Sequence, residues 1–219
     1  MTTSGKFLLE PAWILHHYPY RDSSLLLEVF SREHGRLGLV ARGARTSKSR
    51  WRGMLQAFRP LLLSWSQRGE LGTLTGAEPC AGIALPGTRN LMSAWYLNEL
   101  LMRLLHRGDP HAEVFERYRH LLSDLASEAP PQPLLRVFEK QLLEAIGYAM
   151  LLDREYGGGD EVQVHRWYEY QPQRGPVAVA GPGKNRFSGA ALLALHTENL
   201  QTENLPELRM LMRSVIGYH

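Results

Sequence analysis

The sequence predicts an α+β fold in which a small β-barrel is followed by helices and then by a small mixed region. Between Phe7 and Cys80, short apolar segments alternate with turn signals, as in a protein of short strands. From about residue 90 the apolar residues recur at the spacing of an amphipathic helix. At 219 residues, 44% of them hydrophobic, the chain is long enough to bury a sizeable core.

About five strands are expected in the first eighty residues. Polar or glycine-containing breaks, such as Glu33 to Arg36 and Gln67 to Gly69, separate them. The expected strand segments are residues 7–9 with 13–15, then 24–30, 37–41, 58–65 and 71–77. A closed or nearly closed Greek-key barrel would bury strands of this number and length.

Three helices are expected next, packed as a bundle. The first runs from Asn90 to Arg107 and ends at a glycine. Asp109 and Pro110 read as an N-cap and a first helical residue, so the second helix is expected to begin there and to reach about Ala126. The third follows a proline-rich break and covers Leu134 to Met150.

A change of texture at three consecutive glycines, residues 157–159, marks the last region. Two short strands are expected at 165–170 and 177–180, with helices from about residues 188 and 206. We therefore expect three domains: a barrel at 1–80, a helical bundle at 81–155, and a small α/β region at 156–219.

Positive charge is concentrated in the expected barrel. Residues 1–80 contain 11 Lys and Arg against 6 Asp and Glu, whereas residues 81–219 contain 14 against 16. Such an asymmetry indicates that the first part presents a cationic surface.

The segment from Arg42 to Arg52 carries five basic side chains and no acidic one, between two expected strands. Cations beside an aromatic residue on a surface loop are typical of nucleic-acid binding, because the cations pair with phosphates and the ring stacks on a base. A solvated surface loop is the alternative, and Trp51 could equally be a packing residue. The candidate DNA-binding residues are Arg32, Arg36, Arg42, Arg45, Lys48, Arg50, Trp51 and Arg52.

Other kinds of site find little support in the sequence. Cys80 is the single cysteine, so neither an internal disulfide nor a four-cysteine zinc site can form. The histidines lack metal-ligand spacing, and the Gly43–Ser49 segment lacks the spacing of a phosphate-binding loop. We expect no catalytic residues, metal or cofactor, and no signal peptide or membrane span, so a cytoplasmic, nucleoid-associated location is expected.

Several segments along the chain resemble segments of the RecO family of bacterial DNA repair proteins, and they occur in the same order. The resemblance covers nearly the whole chain, although no single motif is as specific as a metal signature. The matching segments are Ala12–Leu15, Tyr20–Leu25, Glu28–Ser31, Gly35–Arg36, Leu39–Arg45, Leu61–Leu63, Leu74 with Ala77–Glu78, Tyr96–Leu101, Arg136–Glu139 and Gly147–Tyr148.

This resemblance implies an N-terminal OB-fold, a central helical bundle and a later region that carries a zinc finger in some members. It also implies a recombination mediator that binds single- and double-stranded DNA, anneals complementary strands and helps load recombinase onto DNA coated with single-stranded-DNA-binding protein (SSB). The implied partners are SSB, RecR and, in many bacteria, RecF. The zinc-ligand cysteines are absent here, so the last region should be held by packing alone. The chain also stops at His219, where similar proteins usually continue into a polar tail.

RecO-like proteins dock the acidic C-terminal tail of SSB on the helical region. A cation beside an apolar stripe would suit a peptide that ends in a carboxylate and a large apolar side chain. The candidate residues are Leu135, Arg136, Phe138 and Lys140; Arg136 follows from the resemblance and Lys140 from helical spacing, with a solvated helix face as the alternative for Lys140.

The sequence thus predicts a non-enzymatic mediator of DNA annealing. The alternative is a protein-binding adaptor whose basic loop meets an acidic partner instead of DNA. A metal-dependent nuclease is a weaker third hypothesis, because the carboxylates of the first eighty residues show no tight spacing.

Overall fold

The computed structural model describes residues 5–80, 88–127 and 129–219. The chain divides into two compact units, Met1–Ala129 and Pro130–His219. The expected start of a helical domain at residue 81 lies outside the described residues.

A five-stranded closed barrel forms the first part of unit one, as the sequence predicted. Its strands are β1 (Gly5–Tyr20), β2 (Ser24–Ser31), β3 (Gly35–Ala41), β4 (Pro60–Gln67) and β5 (Leu71–Pro79). The order around the barrel is β1-β2-β3-β5-β4, with β3 and β5 parallel and the other described neighbours antiparallel. This is the arrangement of an OB-fold. The two segments expected at 7–9 and 13–15 are one long strand, whose register shifts between Phe7 and Glu10 and between Ile14 and His16.

The barrel core is built from the alternate, inward-facing residues of these strands. Ile14, Leu27, Leu39 and Leu63 are fully buried in it. The connection between β3 and β4 contributes Trp51 and Leu55 to the same cluster. A connection that the sequence presented as a loop therefore fills part of the core.

Strand direction places the connections at two opposite ends of the barrel. The β1–β2 turn (21–23) and the β3–β4 connection (42–59) lie at one end, which we call the loop end. The β2–β3 turn (32–34) and the β4–β5 turn (68–70) lie at the other, which we call the turn end.

Two helices of the same unit cover part of the barrel's outer face. They are α1 (Thr88–Leu104) and α2 (Ala112–Ala126). The rings of Trp13 on β1 and Tyr118 on α2 lie 5.6 Å apart, and Phe30 on β2 meets Phe115 on α2 at 5.5 Å. The buried Asn98 amide of α1 donates to the Leu15 carbonyl at 2.8 Å.

The beginning of α2 differs from the expectation. The helix begins at Ala112 and not at Pro110, because residues 108 and 109 are held against the β2–β3 turn. The Gly108 amide donates to the Arg36 carbonyl at 2.8 Å, and a Cβ on Gly35 would lie 2.0 Å from the Asp109 carbonyl oxygen. This close approach fixes the backbone before the helix begins.

Unit two contains a helix, a small sheet and two further helices. Its elements are α3 (Pro131–Ala145), β6 (Trp167–Gln171), β7 (Gly175–Val179), β8 (Arg186–Ser188), α4 (Gly189–His196), a 3-10 turn at Thr202–Asn204, and α5 (Leu205–Tyr218). The sheet is antiparallel in the order β7-β6-β8. The third helix ends at Ala145 and not at Met150, since Gly147 has a φ of 87°, a conformation that terminates helices.

Candidate nucleic-acid interface

The basic connection between β3 and β4 is anchored to the barrel by its apolar residues. Trp51 is 5% exposed and its indole N–H donates to the Arg42 carbonyl at 3.2 Å. Leu55 and Phe58 are also buried. The cations therefore project from a connection whose path is fixed by packing.

Within the described part of the chain, the cations of this connection form no ion pair. They are all exposed: Arg42, Arg45, Lys48, Arg50, Arg52 and Arg59. The Arg50 guanidinium donates to the Thr75 carbonyl at 3.2 Å and lies 4.1 Å from the centre of the Trp51 ring. Such contacts position the charge without neutralising it, so the connection remains a cationic surface.

Arg21 belongs to the same surface, although sequence reasoning did not select it. The Arg45 amide donates to the Ser23 carbonyl at 2.8 Å, and its guanidinium donates to the Arg21 carbonyl at 3.3 Å. The β1–β2 turn is thus attached to the basic connection. We call the surface formed by residue 21 and residues 42–59 the basic end. The order of the strands could have indicated Arg21 from the sequence, because the turn after β1 and the connection after β3 must lie at the same end of the barrel.

The burial of Trp51 supports the packing alternative for this residue. One face of its ring is covered by Arg50, and the ring lies in the barrel core. The interpretation of Trp51 as an open stacking surface for a base does not fit this position. Its role is to hold the connection.

Arg32 and Arg36 lie at the turn end, away from the basic end. Arg36 precedes Arg42 by six residues along β3, a separation of about 20 Å in an extended strand. Arg32 is compensated by Glu33 at 2.7 Å and Glu116 at 3.1 Å. The eight predicted residues therefore do not form one patch.

Arg36 is engaged with the protein itself. Its guanidinium donates to the Met102 carbonyl near the end of α1. Burial lowers the pKa of Arg36, against the opposing effect of Glu28. A group held in this way fixes α1 to the barrel and offers little to a phosphate.

The Glu116 carboxylate on α2 forms ion pairs with both Arg32 and Arg119 at the turn end. Hydrogen bonds from Arg119 and from Arg32 lower the pKa of its carboxyl group. The positive charge of Arg32 is thus matched locally, unlike that of the basic end.

The outer face of strands 2 and 3, where OB-folds usually bind oligonucleotides, is partly covered here. Phe30 on β2 is fully buried under Phe115. Glu28 on the same strand pairs with Arg107, which follows α1. The basic end is an exposed cationic surface that these contacts leave uncovered.

The four candidate residues on α3 do not form a groove. Leu135 and Arg136 are each 5% exposed and Phe138 is 3% exposed, because this face of α3 packs inside unit two. Arg136 pairs with the fully buried Glu139. Lys140 donates at 3.0 Å to Glu198 and at 3.0 Å to the His196 carbonyl. The expectation of an open peptide-binding groove at these residues is wrong, and so is that of a solvated Lys140.

Among the described residues, no group of three or more His, Cys, Asp or Glu is placed to hold a metal ion. Across residues 5–80, 88–127 and 129–219, no helix combines the length and hydropathy needed to span a membrane.

The fold and this site define a class: OB-fold proteins that carry an exposed cationic end and a helical extension. Two family models match the chain, "Recombination protein O N terminal" at residues 7–83 and "Recombination protein O C terminal" at residues 88–219. The chain belongs to the RecO family of DNA repair and recombination proteins.

Curated relatives agree with the family models. The DNA repair protein RecO of Alkalilimnicola ehrlichii is 46% identical over 223 residues, covering 99% of this chain and 87% of that protein. RecO of Methylococcus capsulatus is 44% identical over 217 residues (98% and 89%), and RecO of Nitrosospira multiformis 42% over 215 residues (96% and 88%).

Proposed function

We propose that this protein is a non-enzymatic recombination mediator that binds single- and double-stranded DNA through its basic end and anneals complementary strands. The observation that carries the proposal is the group of exposed cations at 42–59, which the described residues leave without acidic partners. Membership of a DNA repair family makes DNA the polyanion to consider first.

The physical basis of binding is the release of counterions from phosphates. Each phosphate neutralised on a single strand contributes a slope of about −0.7 in a plot of log K against log salt concentration. Annealing follows from the same property, because a cationic surface lowers the repulsion between two strands that approach each other. This step requires no covalent chemistry, and we assign no catalytic residue.

The proposed partners are those of the family: SSB through its acidic tail, RecR and, as in many bacteria, RecF, with the protein acting in the cytoplasm at the nucleoid. With them the protein would load recombinase onto SSB-coated DNA. Since the α3 residues are buried, the tail must bind another part of the chain or require a change in α3. A labelled SSB tail peptide titrated with Lys140→Ala and with Arg136→Met protein tests this: unchanged affinity in both would place the site elsewhere.

The central test is fluorescence anisotropy of a labelled single-stranded oligonucleotide across a salt series. Wild type is compared with a variant carrying four changes at the basic end: Arg42→Ala, Arg45→Ala, Lys48→Ala and Arg50→Ala. A matched control removes four exposed cations outside that end, none of which forms an ion pair among the described residues: Lys6→Ala, Arg68→Ala, Arg103→Ala and Lys184→Ala. Both variants lose the same charge, so only the position of the charge differs.

We expect the salt slope to decrease by up to about 3 in the basic-end variant, because four phosphate contacts of about 0.7 each are removed. The control variant should keep the wild-type slope. Arg32→Ala should also bind normally, since Arg32 is already paired with carboxylates. Equal slopes in wild type and the basic-end variant would move the DNA site elsewhere, and a wild type that binds no DNA would favour the adaptor alternative.

A further inference from the structure

A line of aromatic side chains connects the outer surface of β1 to the end of the basic connection. The His16 ring meets the Tyr18 ring at 4.4 Å, and it lies 6.2 Å from the ring of Trp95 on α1. Trp95 in turn meets Phe58 at 4.9 Å, edge to face. We call His16, Tyr18 and Trp95, with Phe58 beneath them, the aromatic strip.

Tyr18 and Trp95 are exposed, unlike Trp51, whereas His16 between them is half-buried. Tyr18 is 44% exposed and Trp95 is 39% exposed, whereas Phe58 is 4% exposed and supports Trp95 from below. His16 and Tyr18 point to the same side of β1 because they are two residues apart in a strand. Large rings that stand exposed on a rigid strand and helix, held by contacts with one another, are a preformed stacking surface.

The strip adjoins the basic end along the chain at both of its ends. Phe58 is itself part of the connection at 42–59 that carries the cations. Beyond Tyr18, β1 leads through Tyr20 to Arg21, whose guanidinium lies 5.2 Å from the centre of the Tyr20 ring. Along the chain, the strip is therefore followed by Arg21 on one side and includes a residue of the cationic connection on the other.

Rings beside cations fit one ligand in particular, a single-stranded nucleic acid whose phosphates follow the cations and whose unpaired bases lie on the rings. A duplex offers the same phosphates but keeps its bases stacked inside. We propose that the aromatic strip is a base-stacking platform, so that this protein binds single-stranded DNA more tightly than double-stranded DNA of the same length. The inference rests on the proposed DNA binding at the basic end, and it assigns to Tyr18 and Trp95 the stacking role that Trp51 is too buried to perform.

Two kinds of replacement at Tyr18 and Trp95 distinguish the effect of an aromatic ring from the effect of apolar volume. Tyr18→Leu and Trp95→Leu keep an apolar side chain but remove the aromatic ring, whereas Tyr18→Phe and Trp95→Phe keep a ring. Leu8→Ala is the control, because Leu8 is 71% exposed on the same strand towards the turn end. Since Trp95 packs on Phe58, urea unfolding is measured for each variant, and Tyr18 provides the test if Trp95→Leu is unstable.

Three probes of about 15 nucleotides, within the site size of an OB-fold, distinguish bases from phosphates. They are a single-stranded oligothymidine, an abasic strand with the same number of phosphates, and a duplex of the same length. We expect Tyr18→Leu to weaken binding of the oligothymidine about fivefold or more and to leave the abasic strand and the duplex unchanged. Tyr18→Phe and Leu8→Ala should match wild type on all three probes.

The result that overturns the inference is an equal effect of Tyr18→Leu on all three probes, or no effect on any. Wild-type protein that binds the abasic strand as tightly as the oligothymidine would also overturn it, while leaving phosphate binding at the basic end intact. Wild-type protein that binds none of the probes would overturn the proposed function together with the inference.

Discussion

Replacing Trp51 by alanine tests whether the basic connection is held by its own core residue. The side chain is 5% exposed within the barrel cluster, and its N–H donates to Arg42. Loss of a buried tryptophan costs about 3–5 kcal/mol in folding free energy, because transfer and cavity contributions add. Loss of a hydrogen bond of ordinary strength accounts for a further 0.5–1.5 kcal/mol, roughly.

The assay is urea unfolding followed by circular dichroism, together with hydrogen exchange to localise the effect. With a denaturant slope of about 1–3 kcal/mol per molar urea, a change of this size lowers the midpoint by more than about 1 M. Trp51→Phe keeps a buried aromatic ring, so its loss of unfolding free energy should be less than half of that in Trp51→Ala. Exchange should accelerate first in β3 and β4, which the connection joins.

The opposite pattern would show that Trp51 does not hold the connection. If Trp51→Ala unfolds at the wild-type urea concentration but binds single-stranded DNA much more weakly, Trp51 contacts DNA directly. The stacking role that the structure denies to Trp51 would then have to be restored to it.

Three further predictions follow from other contacts. Glu139→Gln should lower the unfolding free energy of unit two by about 3–5 kcal/mol in urea unfolding, because it leaves Arg136 charged and buried without its ion-pair partner. A loss below about 1 kcal/mol would show that Arg136 is hydrated. Gly35→Ala should be strongly destabilising, since its Cβ would meet the Asp109 carbonyl at 2.0 Å and φ is 63°; a normal melting temperature would contradict this contact. The pKa of Glu116 is lowered in the folded state, so the ionised carboxylate contributes to stability at pH values above its ordinary pKa of 4.5, and this contribution is lost as the pH falls through the folded-state pKa. The difference in unfolding free energy between wild type and Glu116→Gln should therefore shrink as the pH falls below 4.5. A difference that grows on acidification would contradict the lowered pKa.

The barrel was predictable because its strands are visible in the sequence as apolar segments separated by turn residues. The role of Trp51 was not, since a tryptophan in a basic loop has the same local sequence whether it packs inward or faces a base. Its orientation depends on the space left at the loop end of the closed barrel. That space is a property of the folded barrel and not of residues 42–52.

Two errors in the candidate sites had signals in the sequence. Arg36 and Arg42 flank a single expected strand, so an extended backbone already placed them at opposite ends of it. Arg136 and Glu139 are three residues apart on a helix, the spacing of an ion pair, which could have shown that Arg136 has a partner of its own. The pairing of Lys140 with Glu198 had no such signal, because the two are 58 residues apart.

The pattern His16, Tyr18, Tyr20 on β1 was visible as alternation, but Trp95 joins it only through packing of α1 on the barrel. No spacing rule connects residues 16 and 95. Sequence reasoning could therefore find the cations of the candidate interface but not the aromatic strip.

The position of bound DNA is determined most directly by photocross-linking of a single-stranded oligonucleotide containing 5-iododeoxyuridine, with the linked peptides identified by mass spectrometry. We expect cross-links within residues 16–21, within 42–59 and at Trp95. Cross-links confined to the turn end, at residues 32–36 and 68–70, or to unit two would contradict this expectation.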